Sequence, residues 1–231
     1  MLSFEQLTGK DASALMTLPC ALSTKNDQLA HPEAISALVE LQQLAVKDKV
    51  PFKVISSYRS FDDQLKLWNK KYHGVLPILD INEKPIEISS LIEIDLIHSI
   101  MLFSALPGAS RHHWGSDFDI FPSAAIENGY KPQLLQSEFF AGGVAAELNQ
   151  WLKETLPRTE FSRPYEKFQQ GIAAEPWHIS YLPIASPALA ELSATGLTKL
   201  LMNENEIAGK TIICDNMKLL FEQYINNICV R

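Results

Sequence analysis

The sequence predicts an α+β fold. Three observations carry that prediction. Segments with helical and with strand-like patterning mix along the chain without a regular βαβ alternation. Helical segments show apolar residues three and four apart, whereas the strand-like ones are short and β-rich. The length of 231 residues, 46% hydrophobic and 20% charged, suits one core with peripheral helices better than two independent units. We therefore expect one domain over residues 1–231, with a core at about 50–185 and helical additions at both ends.

Residues 1–30 read as a helix and a loop. His31-Pro32-Glu33 opens a helix, because proline fits a first turn and Glu33 suits the positive end of the dipole. Ile35, Leu38, Val39, Leu41 and Leu44 form its apolar face. Phe52–Ser57 reads as a strand, and Phe61–Tyr72 as a helix ended by Gly74. Pro77, Pro85 and the turn-like Asp80–Glu83 make 75–88 a loop or hairpin. Ser89 or Ser90 caps a helix running to about Ala105, ended by Pro107-Gly108. Asp117–Phe121 reads as a strand and Ser137–Thr155 as a helix weakened by Gly142-Gly143. Phe161–Tyr165 and His178–Leu182 read as strands, and the chain after Pro187 as helical with a break near Gly209.

The net charge of −7 disfavours a nucleic-acid partner, which would want a basic face toward phosphates. Cys20, Cys214 and Cys229 form no C-x-x-C pair; one disulfide is open to them, for instance between the two C-terminal ones, and buried free thiols are the simpler expectation, which suits a reducing compartment. Glu5 and Asp11 against Lys10 give the wrong charge for a secretory leader. No run approaches the ~18 apolar residues of a membrane span. The expectation is a cytoplasmic protein with no membrane span; a periplasmic form is the competing placement.

Three segments concentrate chemistry. In Ser110-Arg111-His112-His113-Trp114-Gly115-Ser116-Asp117-Phe118-Asp119, a histidine and an aspartate seven residues on offer nitrogen and oxygen ligands that zinc accepts. Gly115 permits the turn that lets them converge. Strand geometry puts Asp117 and Asp119 on one face, with Phe118 and Ile120 on the other. In Glu175-Pro176-Trp177-His178-Ile179-Ser180-Tyr181, Pro176 excludes a helix through the glutamate. A turn into a strand would present His178 beside Ser180 and leave Glu175 near a metal as a general base. In Ser56-Ser57-Tyr58-Arg59-Ser60, followed by Gln64, the arginine could grip a substrate carboxylate or an oxyanion. Each segment alone reads more readily as packing or a solvated surface; together they supply three ligands, a base and an anion clamp. His113 beside His112 leaves the ligand register open, and His31, His73 and His98 read as structural or exposed.

In this order, Ser-x-Tyr-Arg-Ser with a following Gln, Ser-x-His-x-x-Gly-x-x-x-Asp and Glu-Pro-Trp-His-x-x-Tyr resemble the motifs of VanY-type zinc D-Ala-D-Ala carboxypeptidases. That group extends to VanX dipeptidases, lysostaphin-like enzymes and the hedgehog signalling domain. The matching span runs from about Ser56 to Tyr181. The resemblance implies a single peptidase domain with helices packed on a small antiparallel sheet, which carries one zinc per chain held by His112, Asp119 and His178. It implies Glu175 as catalytic base and Arg59 as oxyanion stabiliser or substrate clamp, with Ser110, Gln64 and Trp177 around substrate. It also implies cleavage of a C-terminal residue from a peptidoglycan-derived peptide or muropeptide by a zinc-activated water. Ser57, and the polar run Ser116-Asp117-Phe118, depart from the usual pattern. L,D-carboxypeptidase, D,D-dipeptidase and L-Ala-D-Glu endopeptidase activity are the rivals on this fold. A non-catalytic zinc-binding module is the rival of another class, and the presence of both Glu175 and Arg59 argues against it.

Overall fold

In the computed structural model, which describes residues 1–229, the expected α+β architecture is present. The chain opens with α1 (Phe4–Leu7), capped by the Ser3 hydroxyl. The stretch read as loop also forms a two-stranded antiparallel ribbon, β1 (Met16–Thr17) with β2 (Leu29–Ala30). In α2 (Pro32–Lys47) the His31 imidazole accepts the Glu33 N–H at 3.3 Å, so this histidine caps a helix. Ala34, Leu38, Leu41 and Ala45 form its buried stripe. Then follow β3 (Phe52–Ser56) and α3 (Phe61–Tyr72), whose cap is the Ser60 hydroxyl accepting from the Asp63 N–H. Leu79 and Pro85 bridge across the 75–88 segment, as a hairpin requires.

Several boundaries differ from the sequence expectation. Ser89 and Ser90 lie in a 3₁₀ turn, and α4 covers only Glu93–Met101, beginning after Ile92. Two short elements, a 3₁₀ turn Arg111–Trp114 and α5 (Ser123–Glu127), flank β4 (Asp117–Pro122). The helix expected over Ser137–Thr155 is two helices, α6 (Gln136–Phe139) and α7 (Ala146–Thr155). Gly142 adopts φ 87°, and a Cβ on Gly143 would come within 2.4 Å of the Ser137 and Glu138 carbonyl oxygens, so the chain must turn there. β5 is shorter than expected (Phe161–Ser162), and β6 (His178–Tyr181) yields directly to α8 (Leu182–Glu191). That helix starts before Pro187, because Pro183 fits its first turn. The helical tail continues as α9 (Ala194–Met202), α10 (Lys210–Asp215), α11 (Met217–Leu220) and a π-helical turn Phe221–Ile225. Gly209 makes the expected break with φ 73°. Among the described residues no helix is long and apolar enough to cross a membrane. The three cysteines are free but not buried: Cys20 is exposed and the other two are half-buried.

The main sheet has the order β3-β4-β6-β5, every pair antiparallel. Asp119 pairs with His178 on one side and Ser56 on the other. A bulge between Val54 and Ser56 shifts the register there and re-aims the end of β3. Two hydrophobic cores result. One joins the sheet to α2 and α7 through Phe52, Val54, Phe118, Ile120, Ile179, Leu38 and Leu152. The other joins α3 and α4 to the C-terminal helices through Trp68, Ile97, Ile100, Leu197, Ile213 and Leu220.

Candidate active site

A cavity of about 280 Å³ is lined by residues of both cores, Trp177 from the sheet side and Tyr165 and Ile172 from the helical side. His112, Asp119 and His178 line it from three different elements. His112 sits in the 3₁₀ turn, Asp119 in the middle of β4, and His178 opens β6 directly across from Asp119. Gly115 ends the 3₁₀ turn with φ 66°, and a Cβ there would lie 2.9 Å from the His31 amide nitrogen. This glycine turns the chain so that His112 and Asp119 meet. One donor atom from each of the three residues lies within 4.8 Å of the others, and all three side chains are buried.

The second nitrogen of each imidazole is already engaged. His112 Nδ1 lies 2.8 Å from the Ser57 carbonyl oxygen, which can only accept, so Nδ1 carries the proton and Nε2 faces Asp119 Oδ2 at 3.4 Å. His178 Nε2 lies 3.0 Å from Asp117 Oδ1, which turns Nδ1 toward Asp119 Oδ1 at 3.2 Å and Glu175 Oε2 at 3.4 Å. Neither His178 Nδ1 nor Asp119 Oδ1 completes a hydrogen bond, although both are buried. Buried polar atoms without partners are costly, and a cation between them would satisfy both. Two imidazole nitrogens and a carboxylate form a donor set that zinc accepts. The residues therefore fit a metal.

The electrostatics agree. Burial works against a charged His178, yet the carboxylates of Asp117, Asp119 and Glu175 raise it well above the ordinary histidine range. The spot thus favours positive charge, whether a proton or a metal ion. Burial likewise pushes the Asp119 carboxyl up, but the charge and hydrogen bonding of His112 and His178 hold it well below its usual range. Asp117 is held at about 2, because Arg111 and His178 outweigh its burial.

Behind the candidate ligands lies a network that the sequence reading left without a role. Arg111 Nε donates to Asp117 Oδ1 at 2.7 Å, and its Nη2 donates to the Ser180 hydroxyl at 2.6 Å. The Ser116 hydroxyl donates to Asp117 Oδ2 at 2.8 Å. This is a carboxylate–histidine arrangement of the kind that fixes the tautomer and orientation of metal ligands. The unusually polar Ser116-Asp117 run is thereby explained. Its signal was present in the alternation of Asp117 and Asp119 along one strand face; the contribution of Arg111 and Ser180 had no local signature.

Glu175 follows the turn expected of Glu-Pro-Trp-His, where the His178 N–H donates to the Glu175 carbonyl at 3.1 Å. Its carboxylate lines the cavity beside His178. Arg59 lines the same cavity, with Nη1 donating to Gln64 Oε1 at 2.8 Å and Nη2 to the Ser56 hydroxyl at 3.4 Å. Gln64 itself is fully buried and donates its amide to the Ala105 carbonyl at 2.7 Å, while its oxygen accepts from Arg59. Ser110 and Trp177 line the cavity. His113 faces away: its Nδ1 donates to the Arg59 carbonyl at 2.7 Å and its Nε2 accepts the Gly108 N–H at 3.1 Å. Burial, followed by the charges of Arg59 and His112, overrides the Arg59 carbonyl bond and lowers its pKa to about 3. Of the other histidines, His98 bonds the Tyr224 hydroxyl at 2.8 Å and His73 is exposed at the end of α3.

Comparison with known proteins finds relatives in sequence and in fold. The VanY model, described as D-alanyl-D-alanine carboxypeptidase, matches residues 27–184. An uncharacterized protein of Haemophilus influenzae is 37% identical over 122 residues, covering 52% of this chain and 92% of its own. A second from the same organism is 31% identical over 102 residues, covering 44% of this chain and 68% of its own. Among solved structures, VanYB in complex with D-alanine-D-alanine superposes with a TM-score of 0.50 at 20% identity, covering 82% of this chain and 94% of the other. The LdcB LD-carboxypeptidase superposes with a TM-score of 0.55 at 19% identity, covering 94% and 81%. The chain belongs to the VanY D-alanyl-D-alanine carboxypeptidase family of peptidases.

Proposed function

We propose that this protein is a zinc-dependent D-alanyl-D-alanine carboxypeptidase that removes the C-terminal residue of peptidoglycan-derived peptides. The observation that carries the reading is the meeting, in one cavity, of the His112–Asp119–His178 donor set with Glu175 and Arg59. A site that merely binds metal has no use for a carboxylate and a guanidinium facing the same space. One solved relative in fold is a complex with D-alanine-D-alanine, which fits the substrate class.

His112, Asp119 and His178 would hold zinc, which would supply a lowered water pKa and a Lewis acid for the scissile carbonyl. The protein supplies the rest. Glu175 takes the water proton as the carbonyl is attacked and returns it to the departing amine. Arg59, held in place by Gln64 and Ser56, faces the developing oxyanion. Ser57 and Asp117 keep the imidazoles in the tautomers that leave one nitrogen of each free. Ser110 and Trp177 shape the wall beside the reacting bond. We place this chemistry in the cytoplasm, on recycled or precursor muropeptides, since the three thiols are free as a reducing compartment keeps them.

The test is mass spectrometry of muropeptides of defined sequence after incubation with the zinc-loaded protein. Loss of one D-alanine from a D-Ala-D-Ala terminus, abolished by chelator, is the expected result. Release of D-alanine only from an L,D-linked tetrapeptide, or of an intact D-Ala-D-Ala dipeptide, would assign one of the sister specificities.

A further inference from the structure

The cavity holds a cation for which neither the metal site nor the general base accounts. Lys71 lies on α3, and its side chain lines the same cavity as Arg59, Glu175 and His178. With Leu67 one turn earlier, also in the cavity wall, it forms the face that α3 turns inward. Its ammonium donates to the Ser104 hydroxyl at 2.6 Å, and Ser104 is buried in the segment just after α4. Among the described residues no carboxylate lies within ion-pair distance of Lys71.

A lysine ammonium has three donors, and a single neutral hydroxyl satisfies one. Most lysines stay in water or pair with an acid when drawn inward, because burying an unpaired charge is costly. Burial indeed pulls Lys71 below the ordinary lysine range, with the Glu175 charge opposing and Arg59 reinforcing the shift. Lys71 is half-buried and lines the cavity, so the donors that Ser104 leaves free are open to an anion small enough to share the cavity with the reacting bond. Arg59 already has two side-chain partners, Gln64 and Ser56, that fix its guanidinium.

We propose that Lys71, held by Ser104, is the docking point for the free carboxylate of the substrate's C-terminal residue. The inference rests on the peptidase reading above and deepens it. Arg59 and Lys71 then divide two tasks, one facing the reacting carbonyl and the other the chain end. Such a division makes the enzyme an exopeptidase by electrostatics, since a peptide that continues past the scissile bond brings no anion to Lys71. A carboxylate on an interior residue of a wall peptide is the other source of the same chemistry, and the test separates the two.

The experiment compares N-acetyl-L-Lys-D-Ala-D-Ala as free acid, the same peptide as C-terminal amide, and a longer peptide carrying an interior D-glutamate either free or amidated. Steady-state KM is measured with the zinc-loaded wild type and Lys71→Met, and binding by calorimetry with the zinc-loaded Glu175→Ala and Glu175→Ala/Lys71→Met proteins. We expect Lys71→Met to raise KM and Kd for the free acid roughly 10- to 100-fold, the usual worth of a hydrogen bond to a charged group. The kcat should change little, and the amide should bind weakly and equally to both proteins. Amidation of the interior glutamate should make no difference. Ser104→Ala, which leaves α3 untouched, should shift KM in the same direction by a few-fold, and it decides the matter if Lys71→Met does not fold. Equal effects on acid and amide, preserved discrimination between them in Lys71→Met, or dependence on the interior carboxylate would overturn the proposal. Wild-type cleavage of the free acid with discrimination that ignores Lys71 sinks this inference alone; tight Lys71-dependent binding without cleavage sinks the peptidase specificity alone.

Discussion

The two walls of the cleft are built differently. On the sheet wall both candidate histidine ligands are oriented from behind: Ser57 holds His112, Asp117 holds His178, and Arg111, Ser116 and Ser180 hold Asp117 or its partner. Among the buried atoms left unpaired there, His178 Nδ1 and Asp119 Oδ1 face each other at 3.2 Å. On the facing helical wall and the turn that leads into it, the charged groups Lys71 and Arg59 are, among the described residues, steadied by neutral side chains, Ser104, Gln64 and Ser56. The sheet wall is thus arranged in advance for a cation, and the helical wall is left positive for an anionic substrate. Rigid elements suit the first task, because metal affinity depends on placing several atoms at once.

The largest effect should come from removing a donor on the sheet wall. His112→Ala or His178→Ala should reduce zinc from about one per chain to a small fraction, with activity lost alongside. His113→Ala should keep its zinc, since that ring faces Arg59 and Gly108; inductively coupled plasma mass spectrometry distinguishes the two histidines. Next, Glu175→Ala should retain zinc and fold while losing on the order of 10²–10⁴ in kcat. An unchanged kcat in that variant would remove Glu175 from the chemistry. Third, Asp117→Asn keeps the shape of the orienting side chain but removes its charge, and zinc affinity should fall roughly 10- to 100-fold in a chelator competition. Full affinity would mean that the network behind His178 serves packing alone.

The smallest effect on chemistry should come from the buttress shared by both walls. Gly9 has φ 76°, and a Cβ on it would lie 2.3 Å from the His113 ring. Its carbonyl accepts from the Phe61 N–H and the Tyr58 hydroxyl, while the Leu7 carbonyl accepts the Trp114 indole N–H. The first residues of the chain therefore brace the turns that carry Arg59 and His112. Gly9→Ala should destabilise by about 1–3 kcal/mol, the usual cost of overpacking. Thermal unfolding reads it as a lowered Tm, with kcat of the folded protein changed by no more than a few-fold.

The sequence made some of this legible and hid the rest for physical reasons. His112, Asp119 and His178 stood out because two of them lie in one turn-strand unit and the third opens a short motif; local patterning left His113 as an alternative, and the resemblance supplied the register. Gly115 and Pro176 marked the turns, since each restricts the backbone in a recognisable way. The α6–α7 break was signalled by Gly142-Gly143, although propensity alone could not show that Gly143 abuts two carbonyls. Arg111, Ser180, Lys71 and Ser104 were not legible, because their roles arise from contacts such as Arg111–Ser180 and Lys71–Ser104, 69 and 33 residues apart in sequence. Gln64 was marked by its motif position, but its contacts with Arg59 and the Ala105 carbonyl come only from packing. The early ribbon of β1 and β2 is too short to leave a periodic signal.

The central claim is that the sheet wall holds zinc through His112 Nε2, Asp119 and His178 Nδ1. Anomalous diffraction at the zinc edge from crystals of the zinc-loaded protein tests it most directly. The account predicts one strong peak within about 2.0–2.2 Å of those three side chains, with Asp117 still bonded to His178 Nε2 and Ser57 still bonded to His112 Nδ1. A peak on His113, or zinc bound through the opposite nitrogen of either imidazole, would contradict it.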